Sequence, residues 1–150
     1  MLTTQPAIGY VFEDLEIGMS ADLLKTVMAD DVIGFAQVSG DTNPVHLSDH
    51  FAAKTPFKSR IAHGLYTASL VSALLGTRLP GPGAIYITQQ LNFRAPVHIG
   101  DVVNAHVEVV ALDGEKSRAT LQCTCNVDAT TVLDGEAVIW VPSREAAKRR

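Results

Sequence analysis

Charge, cysteine and aromatic residues are all scarce in this chain. Asp, Glu, Lys and Arg make up 19% of its 150 residues, and the formal net charge is -4. A general nucleic-acid binder needs a broad basic face, and that balance excludes one, so no nucleic-acid partner is expected. A local basic patch for a small anion is still compatible with it. Disorder is excluded too, because hydrophobic residues reach 47%. Long apolar runs are missing. The longest stretch free of acids and bases, residues 61–77, falls short of the ~20 apolar residues of a membrane span, and His63, Thr67, Ser69 and Ser72 interrupt it. A buried core helix is expected there, and no membrane partner. The first 14 residues hold neither Lys nor Arg, so no charged leader precedes an apolar one and no targeting signal is expected.

Cys123 and Cys125 are the only cysteines. They stand two apart in a strand-like stretch, so both point to one face, shared with Ala119, Leu121 and Val127. That spacing reads as two reduced, buried small residues. A metal site would need further ligands that no Cys or His spacing supplies, so no metal is expected. The setting expected is reducing and cytoplasmic.

The length suits one domain, residues 1–150, with no repeat or linker. Residues 23–28 read as a first strand. Asp30 and Asp31 then open a helix whose apolar stripe, Val32, Phe35 and Ala36, ends at Ser39-Gly40. Residues 41–47 form a turn-rich loop, with Pro44 forcing Asn43 out of helical geometry. Residues 48–54 suit one short helical turn. Residues 65–78 are apolar on nearly every face, which predicts a helix surrounded by protein. Four strands follow, at 84–95, 102–112, 116–128 and 131–141. Five strands and one buried helix fit an α+β domain, a five-stranded antiparallel sheet wrapped around a central buried helix. Residues 143–150 read as a frayed tail with solvated cations.

Two short segments carry chemistry. Asp41-Thr-Asn43-Pro-Val-His46 gathers an acid, an amide and an imidazole on a rigid loop. Asp41 alone reads as a turn former and His46 alone as a structural histidine. Together they can grip one water and move its protons while an amide orients it. Ile61-Ala62-His63-Gly64 leads into the buried helix, whose first N–H groups are unpaired. Gly64 alone reads as a packing residue. At a helix start, however, it lets a carbonyl approach its N–H, as an oxyanion hole requires. No phosphate-binding loop, nucleophile elbow or zinc-protease motif competes.

These segments resemble the MaoC-like hotdog proteins, and most closely the (R)-specific enoyl-CoA hydratases, or (R)-3-hydroxyacyl-CoA dehydratases. The resemblance runs from Phe35-Ala36 through Ser39-Gly-Asp-Thr-Asn-Pro-Val-His46 and Arg60-Ile-Ala-His-Gly-Leu65. It continues through Leu79-Pro-Gly-Pro-Gly83, Leu91-Asn-Phe-Arg-Ala-Pro96 and Ile99-Gly-Asp101. It implies a single hotdog fold and a hydro-lyase interconverting trans-2-enoyl-CoA and (R)-3-hydroxyacyl-CoA. Asp41 and His46 would be the catalytic pair, Asn43 their support, and Gly64 N–H the holder of the thioester oxygen. Ser69 and His63 would lie against substrate, and Lys58 and Arg60, with Lys54 and Arg94, are candidate cations for the CoA phosphates. No cofactor is implied, since CoA arrives as part of the substrate. The family usually dimerises, so a homodimer or larger homo-oligomer is expected. No inserted segment extends the acyl tunnel, and Leu70, Val71, Leu74 and Leu75 could close it early, which favours short substrates such as crotonyl-CoA. The alternatives are a 3-hydroxyacyl-ACP dehydratase, a hotdog thioesterase, which the Asp-x-Asn-Pro-x-His loop argues against, and a non-catalytic acyl-thioester-binding subunit.

Overall fold

The computed structural model describes residues 9–149. Its sheet has five antiparallel strands: β1 (Ser20–Thr26), β2 (Ile85–Phe93), β3 (Val102–Asp113), β4 (Arg118–Val127) and β5 (Thr130–Trp140). Their order is β1-β3-β4-β5-β2. The helices are α1 (Ala29–Ser39), α2 (Pro44–Leu47), α3 (Asp49–Ala53), α4 (Gly64–Thr77) and α5 (Arg144–Ala147). Alternation decides which face of the sheet is inside. Val103, Ala105, Val107 and Val109 of β3 and Ala119, Leu121, Cys123 and Cys125 of β4 are all fully buried. Register sets them side by side, Val107 opposite Cys123 and Ala105 opposite Cys125. This face packs with Leu70, Val71, Leu74 and Leu75 of α4 in one core. Each Val or Leu so buried contributes roughly 1.5–3 kcal/mol. A sheet curled around one helix is the hotdog arrangement that the resemblance implies.

Four expectations need correction. The first strand begins three residues earlier and ends two earlier than residues 23–28, because pairing with β3 runs from Ser20–Glu108 to Thr26–Val102. Met28 instead caps α1: its N–H donates to the Asp31 carboxylate at 2.8 Å. That bond, with Lys25 beside it at 3.3 Å, holds the Asp31 carboxyl below its ordinary value. The loop at 41–47 contains the helical turn α2, since Pro44 at its first position has φ already set for a helix. The central helix is not covered all round. Leu65, Ser69, Ser72, Ala73 and Gly76 form one exposed stripe along α4, because the sheet wraps only the opposite face.

The tail is the fourth. Ser143 accepts the Ala146 N–H and starts α5, the Arg144 N–H donates to Glu13 at 2.8 Å, and its guanidinium pairs with Asp14 at 2.6 Å. The cationic side chains of Arg144 and Arg149 are exposed as expected, but the backbone through Ala147 is helical rather than frayed. Arg150 lies outside the described residues.

Candidate active site

α1 ends at Gly40, whose left-handed φ of 79° turns the chain sharply toward the site. Asp41 and Asn43 then fold the loop on themselves. The Asp41 carboxylate accepts the Asn43 N–H at 3.2 Å, and the Asn43 side chain accepts the Val45 N–H at 3.1 Å. Asn43 is therefore a helix cap, with its oxygen committed to the backbone.

His46 follows on α2 and is 8% exposed. Its Nδ1 faces the Ile61 carbonyl at 2.7 Å. A carbonyl only accepts, so Nδ1 carries the hydrogen and Nε2 is left with its lone pair. Nε2 stands 4.0 Å from Asp41 Oδ2. That is too far for a direct hydrogen bond, and one water can touch both atoms.

His63 supports this pair from below. Its Nε2 faces the Asp41 backbone carbonyl at 2.9 Å, and its ring stacks on His46 with centroids 3.7 Å apart. Donor-type atoms of Asp41, His46 and His63 lie within 4.8 Å of one another. The two rings are inclined by 26°, and His46 Nδ1 and His63 Nε2 are each committed to a backbone carbonyl.

Beyond the loop opens a cavity of about 560 Å³. Exposed Leu65, Phe93 and Arg94 stand at its mouth with Asp41 and Gly64, while buried Ala62, Thr67, Val97, Val132 and Leu133 form its floor. Gly64 is the first residue of α4, so its N–H has no intrahelical partner. A Cβ there would come within 2.6 Å of the Phe93 ring. Glycine is thus required there for packing.

The remaining expected site residues divide. Arg94 lines the mouth and grips Asp134 at 3.1 Å, which with Asn92 keeps the Asp134 carboxyl below its ordinary value. Arg60 is turned inward: its Nε donates to the His46 carbonyl at 2.7 Å, so it braces α2. Lys54 and Lys58 are exposed and stand outside the cavity wall, although Phe57 beside Lys58 lines it. Ser69 donates back to the Tyr66 carbonyl at 2.5 Å on the exposed stripe, and it does not line the cavity either. Leu70, Val71, Leu74 and Leu75 belong to the core rather than the cavity wall. Sequence reasoning missed the Ile61 carbonyl, Thr67 and the Val132-Leu133 floor. The first has no side-chain signature, and the others need the fold to bring them together.

A carboxylate on the wall of a largely apolar cavity, an imidazole 4.0 Å behind it, and a sheet curled around one helix place the chain in the hotdog class with an acid–imidazole loop. Within that class it belongs to the MaoC-like family: the family model described as MaoC like domain matches residues 14–132. A 3-hydroxybutyryl-CoA dehydratase of Methylorubrum extorquens is 62% identical over 136 residues, covering 91% of this chain and 87% of that protein. An (R)-specific enoyl-CoA hydratase of Rhodospirillum rubrum is 49% identical, covering 95% and 99%. The solved structure of an (R)-hydratase from A. caviae involved in PHA biosynthesis superposes with a TM-score of 0.85 at 46% identity, covering 87% and 99%.

Proposed function

We propose that this chain is a hydro-lyase that interconverts trans-2-enoyl-CoA and (R)-3-hydroxyacyl-CoA, with short acyl groups such as crotonyl preferred. The observation that carries the reading is the 4.0 Å separation of His46 Nε2 from Asp41 Oδ2, a span one water can bridge, with Asp41 on the same cavity as Gly64 at the start of α4. The thioester oxygen accepts from Gly64 N–H, where the helix dipole favours developing negative charge. Electron density leaves the double bond and C3 becomes electrophilic. The water held by Asp41 and His46 adds its oxygen to C3 and passes one proton to His46 Nε2. A proton returned from the pair to C2 completes the addition, and the reverse path dehydrates. Every step is a proton transfer or an oxyanion contact that these residues supply, so the reading requires no cofactor beyond the CoA of the substrate.

A homodimer is part of the proposal. β2 is an edge strand and leaves Ile85, Tyr86, Ile87 and Phe93 exposed, beside the small-residue stripe of α4. An apolar edge of that kind is covered in a working protein. The other edge, β1, exposes Leu24 alone among large apolar side chains and carries Lys25 and Asp22, the latter paired with His106 of β3. A cytoplasmic setting is likewise proposed. Its support is that Cys123 and Cys125 are free and buried, with thiols pushed up to about 11 and about 12 by burial.

The test is loss of enoyl absorbance on crotonyl-CoA, followed by chiral analysis of the product. The expected product is (R)-3-hydroxybutyryl-CoA. An (S) product would discard the mechanism, turnover confined to acyl-ACP would change the carrier, and thiol release without hydration would make it a thioesterase. Light scattering checks assembly, and a fully active monomer at assay concentration contradicts the dimer.

A further inference from the structure

Hydroxyls on a helix usually spend their hydrogen on the carbonyl one turn back. α4 follows the habit at Ser69, which donates to Tyr66, and at Thr77, which donates to Ala73 at 2.6 Å. Thr67 does not. The residue is only 3% exposed, it lines the cavity, and its hydroxyl has no hydrogen-bond partner among the described residues. Every other side chain on the floor, namely Ala62, Val97, Val132 and Leu133, is apolar. One polar hydroxyl therefore stands unspent among the buried apolar side chains that line this side of the cavity.

Its distance from the reacting carbonyl can be read from helix geometry. Thr67 lies three residues after Gly64, on the same side of α4, about 4.5 Å along the axis. Helical side chains lean toward the N-terminus, which brings the hydroxyl back over the Gly64 turn. Resting on the hydratase reading, a thioester oxygen at Gly64 N–H sends its acyl chain toward that hydroxyl. Three carbon–carbon bonds from the carbonyl carbon bring a four-carbon chain up to Thr67.

We infer that the Thr67 hydroxyl is a specificity determinant: a polar stop on the cavity floor that favours four-carbon enoyl thioesters over longer ones. A crotonyl methyl ends beside the hydroxyl and leaves room for it to keep a water partner. Extra methylenes must strip that water away and put nothing polar in its place, an unfavourable desolvation. The same volume without the hydroxyl carries no such penalty.

The experiment is kcat/KM for crotonyl-, hexenoyl- and octenoyl-CoA with the wild type, Thr67→Val and Thr67→Ser. Valine matches threonine in volume and removes only the polarity, so the hexenoyl-to-crotonyl ratio is expected to rise by about 10-fold or more. Serine keeps the hydroxyl and enlarges the floor, and it is expected to hold the wild-type ratio to within about threefold. An unchanged ratio in Thr67→Val overturns the inference, and so does a raised ratio in Thr67→Ser, which would make the limit one of volume. If the valine protein does not fold, the serine ratio alone still decides against a volume limit or for it. A wild type that hydrates none of the three thioesters would instead defeat the proposed function.

Discussion

The two walls of the cavity are built on opposite principles. On one side, Asp41 and Gly64 line the cavity from a loop and a helix start, and His46 is buried behind Asp41 with its Nδ1 on the Ile61 carbonyl. On the other, Val132 and Leu133 at the head of β5 are buried and locked in a ladder that pairs Leu133 with both Cys125 and Phe93. Chemistry resides where polar groups keep unspent donors and acceptors, and shape resides where the sheet packs without voids. Damage to the first wall should therefore appear in kcat, and damage to the second in stability.

The sharpest way to break that division is to neutralise the polar wall. Asp41→Asn retains an oxygen for the Asn43 N–H and so removes charge without removing the turn. It and His46→Gln are each expected to lower kcat by at least ~10² with the melting temperature nearly unchanged, measured by enoyl absorbance and calorimetry. Near-wild-type turnover by either folded protein contradicts the assignment.

Leu133→Ala attacks the other wall. Deleting a fully buried leucine is expected to cost about 2–5 kcal/mol in urea unfolding, with kcat of the folded fraction much less affected. A large loss of kcat at intact stability would erase the distinction between the walls. Gly64→Ala tests the seam between them. The new Cβ must push the Phe93 ring aside from 2.6 Å, and displacement of the N–H is expected to lower kcat by up to ~10². An unaffected kcat would remove Gly64 from the oxyanion role.

The smallest effect expected is one of pH. Burial pushes the Cys123 and Cys125 thiols up to about 11 and about 12 from an ordinary value of 9.0. Below pH 9 both thiols are protonated in folded and unfolded chains alike. Above it the unfolded chain loses its protons first, so stability is lost as pH rises from about 9 through the folded values. Urea midpoints should fall across that window, and the slope should flatten in Cys125→Ala; a slope indifferent to the substitution would free the thiols of any part in it.

Much of this was legible in the sequence, for identifiable reasons. Period-two alternation in residues 119–125 reflects burial on one face, which side-chain type alone encodes, and the apolar run after His63 marks the central helix but not the stripe of it that stays exposed. The pairing of Asp41 with His46 was legible because only four residues, a turn and the start of α2, separate them. What failed to show was set at a distance. The tail looked frayed because its partners, Glu13 and Asp14, lie at the other end of the chain. Arg60 looked like a free cation because nothing local marks the His46 carbonyl as its acceptor. Thr67 looked like an interruption in an apolar helix, and only the sheet beyond it makes that interruption a cavity floor.

The central claim is that Asp41 and His46 act as a unit on one water. A double-mutant cycle on crotonyl-CoA hydration, with Asp41→Asn, His46→Gln and the combined variant, tests it most directly. The prediction is a double variant about as slow as the slower single one. Effects that multiply, so that the double variant loses the product of the two factors, would show two independent groups and contradict the account.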